Sequence, residues 1–563
     1  MVSAIIQAQK INMTKIEKWL LIIGFIVLWI SLAYFAGGPI YSDEMLYIDV
    51  GLRNLTQPYY GNRYFHIYLQ KLFMAISPTP LIGIRVFWGF LMSLTSALIY
   101  FNARTFFKNS TPLNGLLAVA IFFSFSILRE YSGEPAVDIT AMAIVVVYLT
   151  VFLILIERAE GVNIYLFILG VLAFLGLKTK ETTIFIHLVL IGLLQEKLKG
   201  EGWLKYLLHY FSPFILGVIA GIVFFVILDG VFLGKPFFAI SLSTFQRVFD
   251  NYDFVPGFFF GPTSWYKEFL FDDILVVFLL FIISGILFRD QLGPKKRWVW
   301  IYPFAYIAFL SWNMLKVPWG FIERFIFPAL PVIAIMSAQV IDFKSLKRKW
   351  YVSIFLIIAF LLFLIMRALW IQTANIYQFD HPRMLDAVYF PILISFLIAS
   401  FLLSDSGHWA LIIFQVFLVG TLLFTPLSNN FKYFIQYPVV RQRYTELFYP
   451  LEVFKDELQI VDDAMIYIST DIKNGLDMLS TDPNDISGMV NFYYDHRIDR
   501  ENVFIGYDRK KVSSDLINRP FEYALLTNSD VDSLMSTSSW GRITDIYSDV
   551  QLDEQGIVYL LKR

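Results

Sequence analysis

The chain of 563 residues contains no cysteine. That absence excludes disulfide staples, thiolate nucleophiles and cysteine-based metal sites, and leaves the compartment open. Charge is scarce as well. Asp, Glu, Lys and Arg make up 16% of residues against 57% hydrophobic ones, and mean hydropathy is +0.61. A soluble multidomain protein of this length could not clothe its surface with so few charges, so the sequence reads as a polytopic membrane protein. The formal net charge is −1, and no Lys/Arg run is interleaved with aromatics, which removes nucleic acid from the partners. His66, His187, His209, His381, His408 and His496 are scattered, with no HExxH or paired spacing for a zinc hydrolase. Internal repeats and low-complexity tracts are absent too.

What is present is a series of apolar stretches. About thirteen segments between residues 18 and 426 are long enough to cross a hydrocarbon core of roughly 30 Å. They run over 18–37, 81–103, 112–128, 136–156, 163–177, 182–195, 206–228, 270–288, 298–314, 322–341, 351–371, 388–403 and 409–426. Residues 1–17 are polar and mildly basic, and the following stretch is too long for a typical signal peptide, so it is expected to stay as the first span. Three basic clusters, Lys197/Lys199/Lys205, Lys295/Lys296/Arg297 and Lys344/Lys347/Arg348/Lys349, fall in alternate short loops. The positive-inside rule then puts the N-terminus inside and the C-terminus outside.

On the outer side, loops 38–80 and 229–268 are long, aromatic and amphipathic. In the first, Tyr64, Phe65, Tyr68, Leu69, Leu72 and Ile76 recur at helical spacing, as expected of a helix lying in the interface, where it either lines a lipid groove or simply anchors. After residue 426 charged and turn residues rise. Strands are expected at Ala464–Ser469, Asn502–Gly506, Tyr523–Thr527 and Gly556–Leu561, with helices at Ile486–Tyr494 and Lys511–Ile517, giving a small α/β domain over 427–563 outside the membrane. It carries no GxGxxG, P-loop or nucleophile elbow, so it reads as a recognition or structural module.

Four charged constellations sit at outer span ends, where an ionisable group is costly enough to need a reason. The first is Ser42-Asp43-Glu44. Either Ser42 caps a surface helix whose first turn the acids favour, or the acids do chemistry. Neighbouring residues on a helix project about 100° apart, so Asp43 would be the general base and Glu44 a supporting or anchoring group. The second runs from Arg129 to Asp138 and contains Glu134-Pro135. Glu134 and Asp138, facing Asp43, could hold a divalent cation through oxygen ligands or shift its pKa by like-charge repulsion. The alternative is local pairing with Arg129 or Lys178. In the third, Lys178-Thr179-Lys180-Glu181, Lys180 either snorkels or neutralises a phosphate. The fourth spans Lys316 to Pro331. There Arg324 enters a span whose prolines, Pro328 and Pro331, force an irregular start, and an arginine in that place can grip a phosphate bidentately. His66 shares a loop with Asp43 and reads as interfacial rather than catalytic.

Taken together, Asp43-Glu44 after the first span, Glu134-Pro135 before the fourth, Thr179-Lys180 before the sixth, and Glu323-Arg324-Phe325-Ile326-Phe327-Pro328 with Pro331 resemble the polytopic glycosyltransferases of the C-type fold. The pattern looks most like their protein O-mannosyltransferase and aminoarabinose transferase branch, over most of residues 18–340. The resemblance implies Asp43 as catalytic acid/base, a polyprenyl-phosphate sugar donor, and Lys180, Lys316 and Arg324 around its phosphate. Relatives commonly carry aspartate where Glu134 stands. It also implies a lipid, glycan or protein acceptor and a plasma-membrane location, an endoplasmic reticulum membrane being the other option. Metal dependence stays open, since no metal signature accompanies a possible Asp43, Glu134 and Asp138 set. No WWD-like motif occurs in 427–563, which argues against a block-transferring oligosaccharyltransferase.

The expected chemistry is inverting transfer of one sugar. Asp43 would accept the acceptor's proton, and the polyprenyl phosphate would leave from the opposite face with its charge held by cations. The rival reading is a transporter or flippase, which should place charges near mid-span and show inverted repeats. Here the charges cluster at span ends.

Overall fold

The computed structural model describes residues 13–35, 63–106, 110–125, 136–157, 162–197, 203–238, 323–341, most of 288–315 and of 503–563, and shorter pieces near 47–54, 252–253, 277–285 and 464–472. Its helices are α1 (Lys15–Phe35), α2 (Tyr64–Ile76), α3 (Pro80–Phe106), α4 (Pro112–Ser124), α5 (Val137–Ile156), α6 (Val162–Leu177), α7 (Val189–Lys197), α8 (Trp203–Leu233), α9 (Arg289–Trp312) and α10 (Leu330–Ser337). A 3-10 helix, Glu181–Leu188, leads into α7, and another, Glu323–Ala329, leads into α10. Among the described residues four helices are long and apolar enough to cross a membrane, and four shorter apolar ones accompany them. The expected spans at 351–371, 388–403 and 409–426 lie outside the described residues.

Helix limits follow local chemistry. Thr111 and Asn114 form a capping box at α4, with Pro112 in the first turn, where its missing N–H costs nothing. Helix α9 is interrupted at Gly293, whose φ of 56° suits only a residue without a Cβ. Where α6 crosses α8, Gly170 and Gly217 let the backbones touch. A Cβ on either would collide with a carbonyl of the facing helix, that of Phe214 or Phe167. Small residues at such a crossing are how apolar helices gain contact when lipid offers no hydrophobic drive.

The core gathers around α5, whose side chains are buried almost all round, whereas α1 turns Trp19, Leu20, Ile23, Val27 and Ile30 outward. Helix α2 forms where the apolar spacing predicts it, but its faces differ from a soluble amphipathic helix. His66 and Gln70 are buried with Tyr64, Ile67, Tyr68 and Met74, while Leu72 and Ile76 are exposed. A lipid-facing surface is itself apolar, so the polar groups belong on the protein side.

One end of the bundle is closed by a polar belt. Arg104, at the end of α3, donates to Glu17 of α1 at 2.7 Å, and Tyr100 donates to the same carboxylate at 2.7 Å. Ser110 donates to Gln339 at 2.9 Å, Asn114 to the Ala338 carbonyl at 3.1 Å, and Lys296 to the Phe106 carbonyl at 2.6 Å. At the other end of α3, the Phe87 ring meets His66 with centroids 5.7 Å apart. From residue 87 to residue 104 a helix rises about 25 Å, close to the hydrocarbon thickness of a bilayer.

In the C-terminal part, strands β3 (Ile466–Ile468), β4 (Val503–Ile505), β5 (Tyr523–Thr527), β6 (Asp549–Leu552) and β7 (Val558–Lys562) form one sheet in the order β4-β3-β5-β7-β6. β3 is parallel to β4 and β5, and β7 is antiparallel to β5 and β6. Helices α11 (Val512–Asn518), α12 (Asn528–Met535) and α13 (Ser539–Ile546) complete it, around Tyr467, Leu516, Phe521, Val531 and Ile543. Four strands and α11 coincide with sequence expectation to within about two residues. β6 does not, because this edge strand leaves Val550 and Leu552 exposed and so lacks a buried alternation to read. The expected helix Ile486–Tyr494 lies outside the described residues.

Candidate active site

The described part of the site is built on the three-residue joint, Lys178–Lys180, between α6 and the following 3-10 helix. The N–H groups of Thr179 and Lys180 both bond the Gly176 carbonyl, at 2.9 and 2.8 Å, so α6 winds on to Lys180 before the chain extends there with φ −160° and ψ 130°. Hydroxyls of Thr179 and Thr183 donate to the Leu175 and Lys180 carbonyls, each at 2.9 Å, satisfying groups the break would strand.

Three charged side chains at or beside this joint, Lys178, Lys180 and Glu181, reach three different elements. Lys180 is buried and ion-paired with Asp138, in the first turn of α5, and its ammonium stands 3.9 Å from the centre of the Phe325 ring. Glu181 accepts both guanidinium arms of Arg63, at 2.6 and 3.2 Å, at the start of α2. Lys178 is buried facing Asp229 of α8, and Asp229 accepts a hydrogen bond from Tyr68 at 2.6 Å. The Phe65 N–H bonds the Lys178 carbonyl at 3.1 Å, fastening α2 to the joint by backbone as well.

Burial pushes the Lys180 ammonium down from the ordinary lysine range, the Asp138 carboxylate opposes this, and Arg63 nearby adds to the lowering. Burial likewise pushes Lys178 down to about 7 against the pull of Asp229. In both lysines the neighbouring carboxylate opposes the effect of burial. Snorkelling, one of the two sequence readings of Lys180, is overturned: the side chain turns inward to a carboxylate and a ring.

The pairing of Asp138 also differs from expectation. Asp138 is ion-paired with Lys180, because the extended backbone at 180 swings that side chain toward the first turn of α5, and Arg129 lies outside the described residues. Among the described residues no cluster of three His, Asp or Glu could hold a metal. His66, expected at the interface, is fully buried and hydrogen-bonded through Nδ1 to Thr140 at 2.7 Å, with its ring edge-on to Tyr47 at 5.7 Å. Asp43, Glu44, Glu134 and Lys316 lie outside the described residues, as does the side chain of Arg324.

The backbone still brings one of these segments to the joint and pairs another with a long loop. The irregular start expected at the prolines is the 3-10 helix Glu323–Ala329, and its Phe325 is the residue under Lys180, one position from Arg324. A two-residue ladder pairs Tyr252–Asp253 (β1) with Met314–Leu315 (β2), so the long loop 229–268 meets the segment just before Lys316. Arg63 was missed at sequence level. A lone arginine in a loop carries no pattern, and its closeness to Lys180 exists only in three dimensions.

No family model matches the sequence, and no curated protein matches it. Solved structures do. ArnT from Cupriavidus metallidurans bound to undecaprenyl phosphate superposes with a TM-score of 0.58 at 12% identity, covering 96% of this chain and 97% of that one. The same protein in the apo state gives 0.54 at 13% identity, with the same coverage. An Archaeoglobus fulgidus oligosaccharyltransferase in complex with Zn and sulfate gives 0.44 at 12% identity over 96% of this chain and 73% of that one, a likeness too slight to build on. At these identities the match speaks for the fold alone: the described residues share the fold of ArnT.

Proposed function

We propose that this fold works here as a membrane glycosyltransferase moving a single sugar from a polyprenyl-phosphate donor to an acceptor hydroxyl, or phosphate, on a lipid, glycan or protein. The observation that supports it best is the buried Lys180, held between Asp138 and the Phe325 ring one residue from Arg324, within a fold whose relative ArnT was solved with undecaprenyl phosphate. A buried ammonium on a paired carboxylate is a preorganised charge, able to exchange one anion for another without reorganising solvent. Asp138 is then the resting counter-ion of Lys180 rather than a ligand to substrate.

In this reading Asp43 takes the proton of the acceptor oxygen as that oxygen attacks the anomeric carbon, with Glu44 supporting the segment. The bond from that carbon to the phosphate oxygen breaks, the electron pair leaves with the polyprenyl phosphate, and the anomeric configuration inverts. Lys180, Arg324, Lys316 and, as an addition, Arg63 hold the departing dianion. A divalent cation, if used, would draw its oxygen ligands from Asp43, Glu44 and Glu134, since Asp138 is taken by Lys180. The site faces the extracytoplasmic side of the plasma membrane.

The test is transfer of labelled sugar from a panel of polyprenyl-phosphate monosaccharides by the purified full chain in lipid, beside Asp43→Asn. Release of polyprenyl phosphate by wild type alone is expected. Full activity of Asp43→Asn would sink the base assignment, and no turnover with any donor by a folded protein would favour transport.

A further inference from the structure

Two residues of the proposed phosphate site belong to separate 3-10 elements: Lys180 immediately precedes Glu181–Leu188, and Arg324 is the second residue of Glu323–Ala329. Such helices have poorer hydrogen-bond geometry than α-helices and seldom persist without outside support. A single buried side chain of α9 touches both. The Tyr306 hydroxyl donates to the Phe325 carbonyl at 2.7 Å, and the Thr182 hydroxyl lies 3.2 Å from the same oxygen, placed to donate to it. Thr182 is two residues from Lys180, and Phe325 is one residue from Arg324. Phe325 is thereby fixed at two points, its ring by the Lys180 ammonium and its carbonyl by Tyr306.

We propose that Tyr306 is a positioning residue that sets the spacing between Lys180 and Arg324, and so the fit of the site to a lipid-linked phosphate. The idea rests on the phosphate-site reading above and adds to it a residue that never contacts the substrate. Tyr306 itself is fully buried, and its ring packs on Phe185 and Tyr302. Removing its hydroxyl should keep the ring packing while leaving the Phe325 carbonyl and the Thr182 hydroxyl without this bridge. Tyr302 supplies an internal comparison, since it is equally buried on the same helix and bonds the Pro328 carbonyl, farther along the second 3-10 helix.

The experiment measures binding of a polyprenyl monophosphate to the full chain in lipid nanodiscs, with donor KM and kcat measured alongside, for wild type, Tyr306→Phe, Thr182→Val, Tyr302→Phe and Arg324→Gln. Tyr306→Phe is expected to weaken binding about tenfold, the scale of one buried hydrogen bond left half-made, and to raise donor KM more than it lowers kcat. Thr182→Val should do the same more mildly, and Tyr302→Phe should leave affinity unchanged. In an Arg324→Gln background, Tyr306→Phe should cost far less, because the cation it positions is gone. Equal losses with and without Arg324, or a lower melting temperature with unchanged affinity, would make Tyr306 a structural pin only and overturn the inference. Failure of the wild type itself to bind polyprenyl monophosphate would overturn the phosphate site, and this inference with it.

Discussion

The two ends of the helical bundle each hold a buried carboxylate in the first turn of a helix, paired with a cation, yet they are built for different ends. Glu17 is met by Arg104 and Tyr100 inside a belt that also ties Ser110, Asn114, Gln339 and Lys296 to neighbouring helices. Partners there come from several helices, and the bonds close the bundle. Asp138 is met by Lys180, with an aromatic ring against the ammonium and the Arg63–Glu181 pair next to it in the chain. One end ties its carboxylate into a belt across several helices, and the other is, in the proposed reading, where an incoming anion would compete. Burial of an ion pair is thus no guide to its purpose; what surrounds the pair is.

The sharpest way to break this comparison is Lys180→Met, expected to lower transfer by about 10²- to 10³-fold, the scale of losing one preorganised donor. The same change strands Asp138 and should cost about 3–5 kcal/mol in stability. Adding Asp138→Asn should restore most of the thermal midpoint and none of the transfer. Arg104→Met at the opposite end should cost about 3 kcal/mol by stranding Glu17, with kcat of the folded fraction unchanged; a kinetic defect there would erase the distinction between the ends.

A smaller effect concerns pH. Lys178 is pushed by burial to about 7, below its ordinary 10.5. Between those values the unfolded chain holds a proton that the folded chain has released, so stability should rise with pH across that window. Lys178→Met should flatten that rise in a thermal-shift series from pH 6.5 to pH 10, and a parallel slope in both proteins would contradict the assignment. The smallest expected change is Glu181→Gln. Its pair with Arg63 is partly exposed and should contribute less than about 1 kcal/mol to stability. If Arg63 serves the phosphate, releasing it from Glu181 should lower donor KM rather than raise it.

Much of the architecture was legible beforehand because bilayer and sheet impose short periods. α5 and α6 end within a residue or two of the limits expected from hydropathy, and the prolines at 328 and 331 announced the irregular start that became a 3-10 helix. Lys180 was legible as a candidate because a lysine at a span end needs a reason. Its partner was not, since Asp138 lies forty-two positions away and the turn of the backbone at 180 decides where the ammonium goes. His66 was misjudged for a related cause: a histidine among aromatics reads as interfacial until Thr140 is found against its Nδ1.

Composition and spacing by themselves determined that this chain spans a membrane many times, that it has no thiol chemistry, and that its ionisable groups gather at span ends. These follow from the free energy of putting polar groups in hydrocarbon, which acts on each segment separately. Tertiary structure alone decided which charges meet: Lys180 with Asp138, Arg63 with Glu181, and Tyr306 between two distant 3-10 helices. Such contacts depend on the crossing of helices far apart in sequence, set by close approaches such as Gly170 and Gly217 against the facing backbone. No local pattern encodes them.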